Sequence, residues 1–431
     1  MKTNTYFKSF LFILSVTVNF TFASTLRPQA DAAALLREAA ELLQAGRLDD
    51  AEGVLRRALA AVPASADAHN LLGVLNDRRG RFREAEAAYR EAIRLLPRAV
   101  GARANLGVLL ARSGRAAEAV PVFEEVLRLA PGHPPATFNL GLALFQLNRH
   151  DEAAALLASE PALAQNAPEA FYHLGLIASA RGRAEEAADL WQRALELRER
   201  YPEVNFALAE ELRRQRRYEG AAEFYERALA QDPSKLVYHV RLGGALMLLS
   251  RYDRALEVFR RAAERFPDSA EAHYFAGIAA RGAARYDAAE ASLRRSLALK
   301  SGSVDATAQL GFVVGELGRG EEAEKILRRA VALDARHFYA HYDLGRLLVR
   351  ARRFEEAVPV LRAAARLREQ DPGVHYQLFI ALTRLKRMEE AERELAAFKE
   401  LDAARKARRA SGEEEQVEDA LPRPEAAEPE R

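Results

Sequence analysis

PEAFYHLGLIASARGRAEEAADLWQRALELRERY, residues 168–201, is the stretch that decides the fold. Its apolar residues recur at three- and four-residue spacing, the mark of amphipathic helices. The first helix carries Phe171, Leu174, Gly175 and Ala178, and the second carries Ala187, Trp191 and Ala194. Gly182-Arg183 makes a turn between them. Two short helices therefore fold back on each other.

Counting outward from Gly175, a small residue returns every 34 positions: Ala39, Gly73, Gly107, Gly141, Ala209, Gly243, Gly277, Gly311 and Gly345, with Phe379 the exception at the end. Twelve residues after each stands an alanine, from Ala51 and Ala85 through Ala187 to Ala391. Four further on comes a bulky apolar side chain, such as Tyr89, Phe123, Trp191, Tyr225, Phe259 or Leu327. A small residue on the first helix (A) lets the second (B) approach, and the large one fills the space beside them. One such pair cannot bury its apolar stripe alone, so stability comes from stacking neighbours. The phase holds without insertion over eleven repeats, residues 32–405.

This spacing resembles the tetratricopeptide repeat family. The resemblance implies an all-α fold, a right-handed α-solenoid of about eleven helix-turn-helix units. It also implies a non-catalytic scaffold that holds a partner protein or an extended peptide in a concave groove lined by A helices.

Residues 1–23 differ from the rest. Lys2 and Lys8 precede an apolar run, Phe10 to Val18, with small residues near a plausible cut after Ala23. That is the pattern of a signal peptide cut after Ala23. The run is too short for a membrane span, which needs about 20 apolar residues. The expected location is exported, periplasmic or secreted, with no integral membrane segment after cleavage. Residues 24–31 read as a linker. Residues 406–431 read as a charged, disordered tail, since 410–431 hold eight acids, two arginines and three prolines with few apolar groups.

Composition excludes several classes. Without Lys2 and Lys8 the chain has 62 basic and 62 acidic residues, no excess for a nucleic-acid partner. There is no cysteine, hence no disulfide framework and no lipid anchor on a cysteine. No GxSxG, GxxxxGK[ST] or GxGxxG motif is present, so the chain reads as no enzyme and as having no cofactor. His69, His239, His273, His341 and His375 share one repeat position and read as packed rings. His337 and His341 have i, i+4 spacing, yet a convincing third metal ligand is missing. An arginine follows the A helix in every repeat, from Arg47 and Arg81 to Arg387. It reads as complementing helix dipoles rather than as a rail for an acidic polymer.

One repeat departs from the pattern. Pro161 and Pro168 fall where its second helix should finish, so that helix is expected to stop near Ser159, leaving a loop or hinge over 159–168.

Opposite the face of helix A that meets helix B, a helical wheel places Phe138, Phe145, Tyr172, Phe206, Tyr274, Phe312, Tyr339, Tyr342 and Tyr376, with Asn105, Asn139 and His173 on the edge. The candidate partner-binding residues are Asn105, Phe138, Asn139, Phe145, Tyr172, His173 and Phe206. Rigid aromatics beside amides suit the main chain of an extended ligand. The chaperone-tail clamp of some family members is not matched, because Asn70, Val74 and Pro135 stand where it needs other residues. A glycan partner, or a place in a polysaccharide-handling or export machine of the envelope, is the alternative.

Overall fold

A computed structural model of the chain describes residues 27–410. Helices fill them in alternating A and B order, and no strand occurs among the described residues. The helices are α1 (Arg27–Gln44), α2 (Leu48–Ala61), α3 (Ala66–Arg78), α4 (Phe82–Leu95), α5 (Val100–Arg112), α6 (Ala116–Leu129), α7 (Pro134–Gln146), α8 (His150–Leu157), α9 (Glu160–Ala180), α10 (Ala184–Leu197) and α11 (Pro202–Arg214). There follow α12 (Tyr218–Gln231), α13 (Leu236–Leu248), α14 (Tyr252–Arg265), α15 (Ala270–Gly282), α16 (Tyr286–Leu299), α17 (Val304–Glu316), α18 (Gly320–Leu333), α19 (Phe338–Arg350), α20 (Phe354–Leu367), α21 (Pro372–Arg384) and α22 (Met388–Ala410). The chain forms two compact halves, up to Val204 and from Asn205. From α1 to α10 and from α12 to α22 each helix packs on the next, and A helices also touch the next A helix from α1 to α9 and from α13 to α21.

Every A helix ends the same way. Position 15 of all eleven repeats has a left-handed backbone: glycine at Gly46, Gly80, Gly114, Gly182 and Gly318, and a side-chain-bearing residue at Asn148, Arg216, Ser250, Ala284, Arg352 and Lys386. The arginine after it donates its backbone N–H to the carbonyl five residues back, as Arg47 does to Leu42 at 2.9 Å. That closes a Schellman turn. The same arginine is the N-cap of helix B, so one residue both ends A and starts B.

In most repeats its guanidinium pairs with an acid as well. Arg115 pairs with Glu118 at 2.6 Å and with Glu86 of the previous B helix at 2.8 Å. Arg353 pairs with Glu356 at 2.7 Å and Glu324 at 2.5 Å, and Arg328 bridges the same two acids. Two arginines and two glutamates thus close a ring across the repeat boundary, and Glu290, Arg294, Arg319 and Glu322 form another. Arg115, Arg285, Arg319 and Arg353 thus clamp neighbouring B helices through charge-balanced pairs.

The recurring histidines lock the opposite turn, from B to the next A. In all five the Nε2 atom lies 2.9–3.2 Å from the carbonyl six residues earlier: Pro63, Pro233, Pro267, Ala335 and Glu369. His337 caps α19, its Nδ1 accepting from the Ala340 N–H at 3.1 Å. Both rings of the i, i+4 pair are therefore engaged in separate hydrogen bonds of the α18–α19 turn. Among the described residues no group of three His, Cys, Asp or Glu could hold a metal ion.

Each crossing point is tighter than the sequence suggested. The bulky residue 16 positions on lies directly over the glycine, not beside it. A methyl on Gly107 would come within 2.6 Å of the Phe123 ring, and one on Gly277 within 2.7 Å of Leu293. At Gly175 it would meet Trp191, whose Nε1–H donates to the Tyr172 carbonyl at 3.1 Å. Trp191, Tyr89, Tyr225, Phe123 and Phe259 are fully buried in this role.

Three boundaries need correction. Helix α1 starts at Arg27, inside the stretch read as a linker, because Pro28 is tolerated in a first turn and good helix formers follow. Helix α22 runs to Ala410, past the expected start of the tail at 406, with Asp402 paired to Arg405 at 2.6 Å and to Lys406 at 2.8 Å. Helix α8 does stop early, at Leu157, but no loop follows: α9 begins at Glu160 with Pro161 in its first turn and Pro168 inside. The irregular repeat lengthens its neighbour's A helix instead of opening a hinge at 159–168, since a first-turn proline has no N–H to lose. The expected signal peptide, 1–23, and the acidic residues 411–431 lie outside the described residues. Among the described residues no helix is long and apolar enough to cross a membrane.

Candidate functional site

The structure buries most of the residues the helical wheel exposed. Asn105 and Asn139 are each 3% exposed and Tyr172 2%. Phe138, His173 and Phe206 are also buried, and Phe145 is half-buried. Asn105 donates from Nδ2 to Asn70 Oδ1 at 3.0 Å, and the Asn139 Oδ1 has no hydrogen-bond partner. Three of the seven do come together: His173 lies edge-on to Phe145 at 5.3 Å and to Tyr172 at 5.1 Å. Burial drives the His173 imidazole down to about 3, so the ring is neutral at physiological pH. Phe206 belongs to the second half, stacked on Tyr238 at 4.9 Å and close to Tyr225.

The reason is geometric. The wheel gave helix A one neighbour, helix B. In the stack it has A helices on both sides as well, and positions 5 and 6 of the repeat face them. These residues join the repeats together and present almost no surface to a ligand.

The later repeats differ. Phe312 on α17, with Tyr339 and Tyr342 on α19, is partly exposed, and Tyr376 on α21 is 43% exposed. Arginines lie among them. The Arg281 and Arg346 guanidinium carbons sit 4.4 and 4.6 Å from the Phe312 ring centre, within cation–π range. Arg368 lies 4.8 Å from the Phe338 ring and 5.0 Å from Tyr339. Glu316 accepts from Arg346 at 3.0 Å and from Arg350 at 2.8 Å. Tyr342 stacks on Phe338 at 5.7 Å and leans on the start of α21, where a methyl on Gly373 would reach its hydroxyl at 2.7 Å. Tyr376 packs on Phe398 of α22 at 5.1 Å. The row from Arg281 to Tyr376 lies wholly in the second half.

Beneath it Asp343 is buried. Burial pushes its carboxyl up to about 6, against the opposing pull of Arg346 and Arg281. Arg346 is its nearest cation, at 3.8 Å. The sequence gave Phe312, Tyr339, Tyr342 and Tyr376 as part of a longer aromatic series. What it concealed was their arginine partners, which lie some 30 residues away on neighbouring helices. Phe312 and Arg346 share repeat position 9, Arg281 sits at position 12, and that register is the signal that could have paired them.

The arrangement has rigid aromatic faces, carboxylate-binding guanidinium groups and no assembled nucleophile, base or metal site among its named residues. The helix pairs and their packing define a repeat scaffold. Family models for the tetratricopeptide repeat match residues 36–99, 76–134, 110–174 and 169–201. The model described as Cilia and flagella-associated protein 70 C-terminal domain matches residues 192–420, more than half of the chain. The chain belongs to the tetratricopeptide repeat family and, over that longer span, to the family of that C-terminal domain. Members of the repeat family are generally non-catalytic scaffolds, and the fold supports protein partners.

A comparison with curated proteins found no match. Among solved structures, the anaphase-promoting complex hetero-tetramer Cut9-Hcn1 is similar at 12% identity, over 92% of this chain and 98% of that one, with a TM-score of 0.44. PilF of Pseudomonas aeruginosa is similar at 20% identity, over 56% and 95%, with a TM-score of 0.35. MamA from Desulfovibrio magneticus RS-1 is similar at 19% identity, over 39% and 96%, with a TM-score of 0.36.

Proposed function

We propose that this chain is an exported docking scaffold that holds an extended segment of a partner protein against the A-helix face of α15 to α21. One observation carries the reading. On α17, α19 and α21 the aromatics Phe312, Tyr339, Tyr342 and Tyr376 stay partly accessible, and they lie among guanidinium groups of which Arg346 and Arg350 already bind the Glu316 carboxylate. Aromatic and arginine side chains together are the usual material of an interface hot spot. The partner is therefore expected to bring apolar side chains and at least one acid.

Crosslinking in the native host, followed by identification of the captured protein, supplies the ligand. Tyr339→Ala with Tyr376→Ala should then weaken its binding by about 2 kcal/mol, roughly 30-fold, at unchanged helicity. Full affinity in the double variant would place the partner elsewhere. A captured glycan in place of a protein would favour the polysaccharide-handling alternative.

Export, to the periplasm or beyond, rests on the Lys2, Lys8 and Phe10 to Val18 pattern. It predicts a mature protein beginning at Ser24. An intact mass retaining Met1 in a cytosolic protein would overturn it.

A further inference from the structure

We propose that residues 411–431 of the same chain occupy this surface as an intramolecular ligand, so that an outside partner must displace them. The inference rests on the docking surface just described and concerns its regulation.

Charge is the first argument. The segment carries Glu413, Glu414, Glu415, Glu418, Asp419, Glu425, Glu428 and Glu430 against Arg423 and Arg431. The surface carries Arg281, Arg346, Arg350 and Arg368, and Glu316 shows how a carboxylate sits there, shared between Arg346 and Arg350. An incoming acid would take one of these guanidinium groups in the same way.

The second argument is side-chain chemistry. Val417, Ala420 and Leu421 stand among the acids, so the segment brings apolar groups as well as negative charge. Tyr376 and Tyr339 offer apolar faces to them. Among the described residues no A helix follows α21, and Tyr376 is 43% exposed; of its counterparts, Tyr342 is partly exposed, and Phe138, Tyr172, Phe206 and Tyr274 are covered.

Reach is the third. The segment leaves from α22, whose Phe398 packs on Tyr376. Its 21 residues could span up to about 70 Å, while α17 and α21 are two helix spacings apart, about 20 Å. A tethered ligand of this length acts at an effective concentration on the order of millimolar. Weak intrinsic affinity would therefore suffice to keep the surface occupied.

The test uses the full chain with Glu413, Glu414, Glu415 and Glu418 changed to Gln and Asp419 to Asn, beside the native chain. The probe is a fluorescein-labelled peptide of residues 411–431, followed by anisotropy. The peptide should bind the neutralised chain and bind the native chain at least tenfold more weakly. Arg346→Gln with Arg350→Gln in the neutralised chain should cost a further tenfold or more, as should added salt. Tyr376→Ala is the second variant should the arginine pair disturb folding, judged by circular dichroism, and the same loss is expected. No binding to the neutralised chain, or equal binding to both chains, would overturn the proposal.

The captured partner separates the two readings. If Tyr339→Ala with Tyr376→Ala weakens it while the neutralised segment leaves its affinity unchanged, the docking surface stands and the intramolecular ligand falls. If the peptide behaves as expected but the partner ignores the tyrosines, the reverse holds.

Discussion

Trp191→Ala should destabilise the first half by about 3–5 kcal/mol, the cost of emptying a fully buried aromatic site. Gly175→Ala should cost about 1–3 kcal/mol from a single methyl, because that methyl would be driven into the indole. The indole has little freedom to yield: it is 1% exposed and its Nε1–H is tied to the Tyr172 carbonyl. The two losses should not add. Once Trp191 is alanine the methyl at 175 has room, and its cost should fall to nearly nothing. The cycle is read by urea denaturation followed by far-ultraviolet circular dichroism, and Trp191, the one tryptophan, reports Gly175→Ala directly by fluorescence. Strict additivity would mean that the small and large positions do not meet.

Asp343→Asn should act in the opposite direction and stabilise the protein at neutral pH. The carboxyl has an ordinary value of 3.8 and is raised to about 6 in the fold, chiefly by burial. Between those values the unfolded chain loses its proton first, so the folded state binds more protons. Stability therefore falls as pH rises from about 4 to 6, and the loss persists at higher pH. Two pKa units correspond to roughly 3 kcal/mol, which is the upper bound on the gain from an asparagine that cannot ionise. Arg346, Arg281, Glu316 and His337 face this carboxyl, and their influence is already contained in its raised value. A repeat protein need not unfold in one step, so hydrogen exchange within α19 is the sharper readout. The variant should match the parent below pH 4 and exceed it at pH 7. Equal protection at both would show that Asp343 is solvated.

The period of 34 was legible because close packing leaves a mark on single residues. Gly175, Ala187 and Trp191 each have one acceptable size, and the spacing among them is a property of two helices alone. The turn arginine and the five histidines were equally visible, but their work was not. Arg353 reaches Glu324, 29 residues back, and His239 reaches a backbone carbonyl that has no side chain to betray it. The binding face failed for the same reason on a larger scale. Asn105 looks like a ligand-gripping amide on an isolated helix, yet its partner is Asn70 on the preceding A helix. A pattern confined to one helix reports that helix's own contacts. It is silent about the next repeat, and so about which aromatics remain uncovered at Phe312 or Tyr376.

The closeness of these contacts along the chain has a kinetic consequence. The Schellman turn spans five residues, the histidine lock six, the glycine crossing 16, and the charge rings about 30. No helix has to wait for a segment hundreds of residues away, and chains of such low contact order fold quickly. On a ribosome the first repeat has everything it needs once the second has emerged, and each later one extends a surface already formed. The interval expected to stall is the one around α8, where an eight-residue helix gives its neighbour little to condense on.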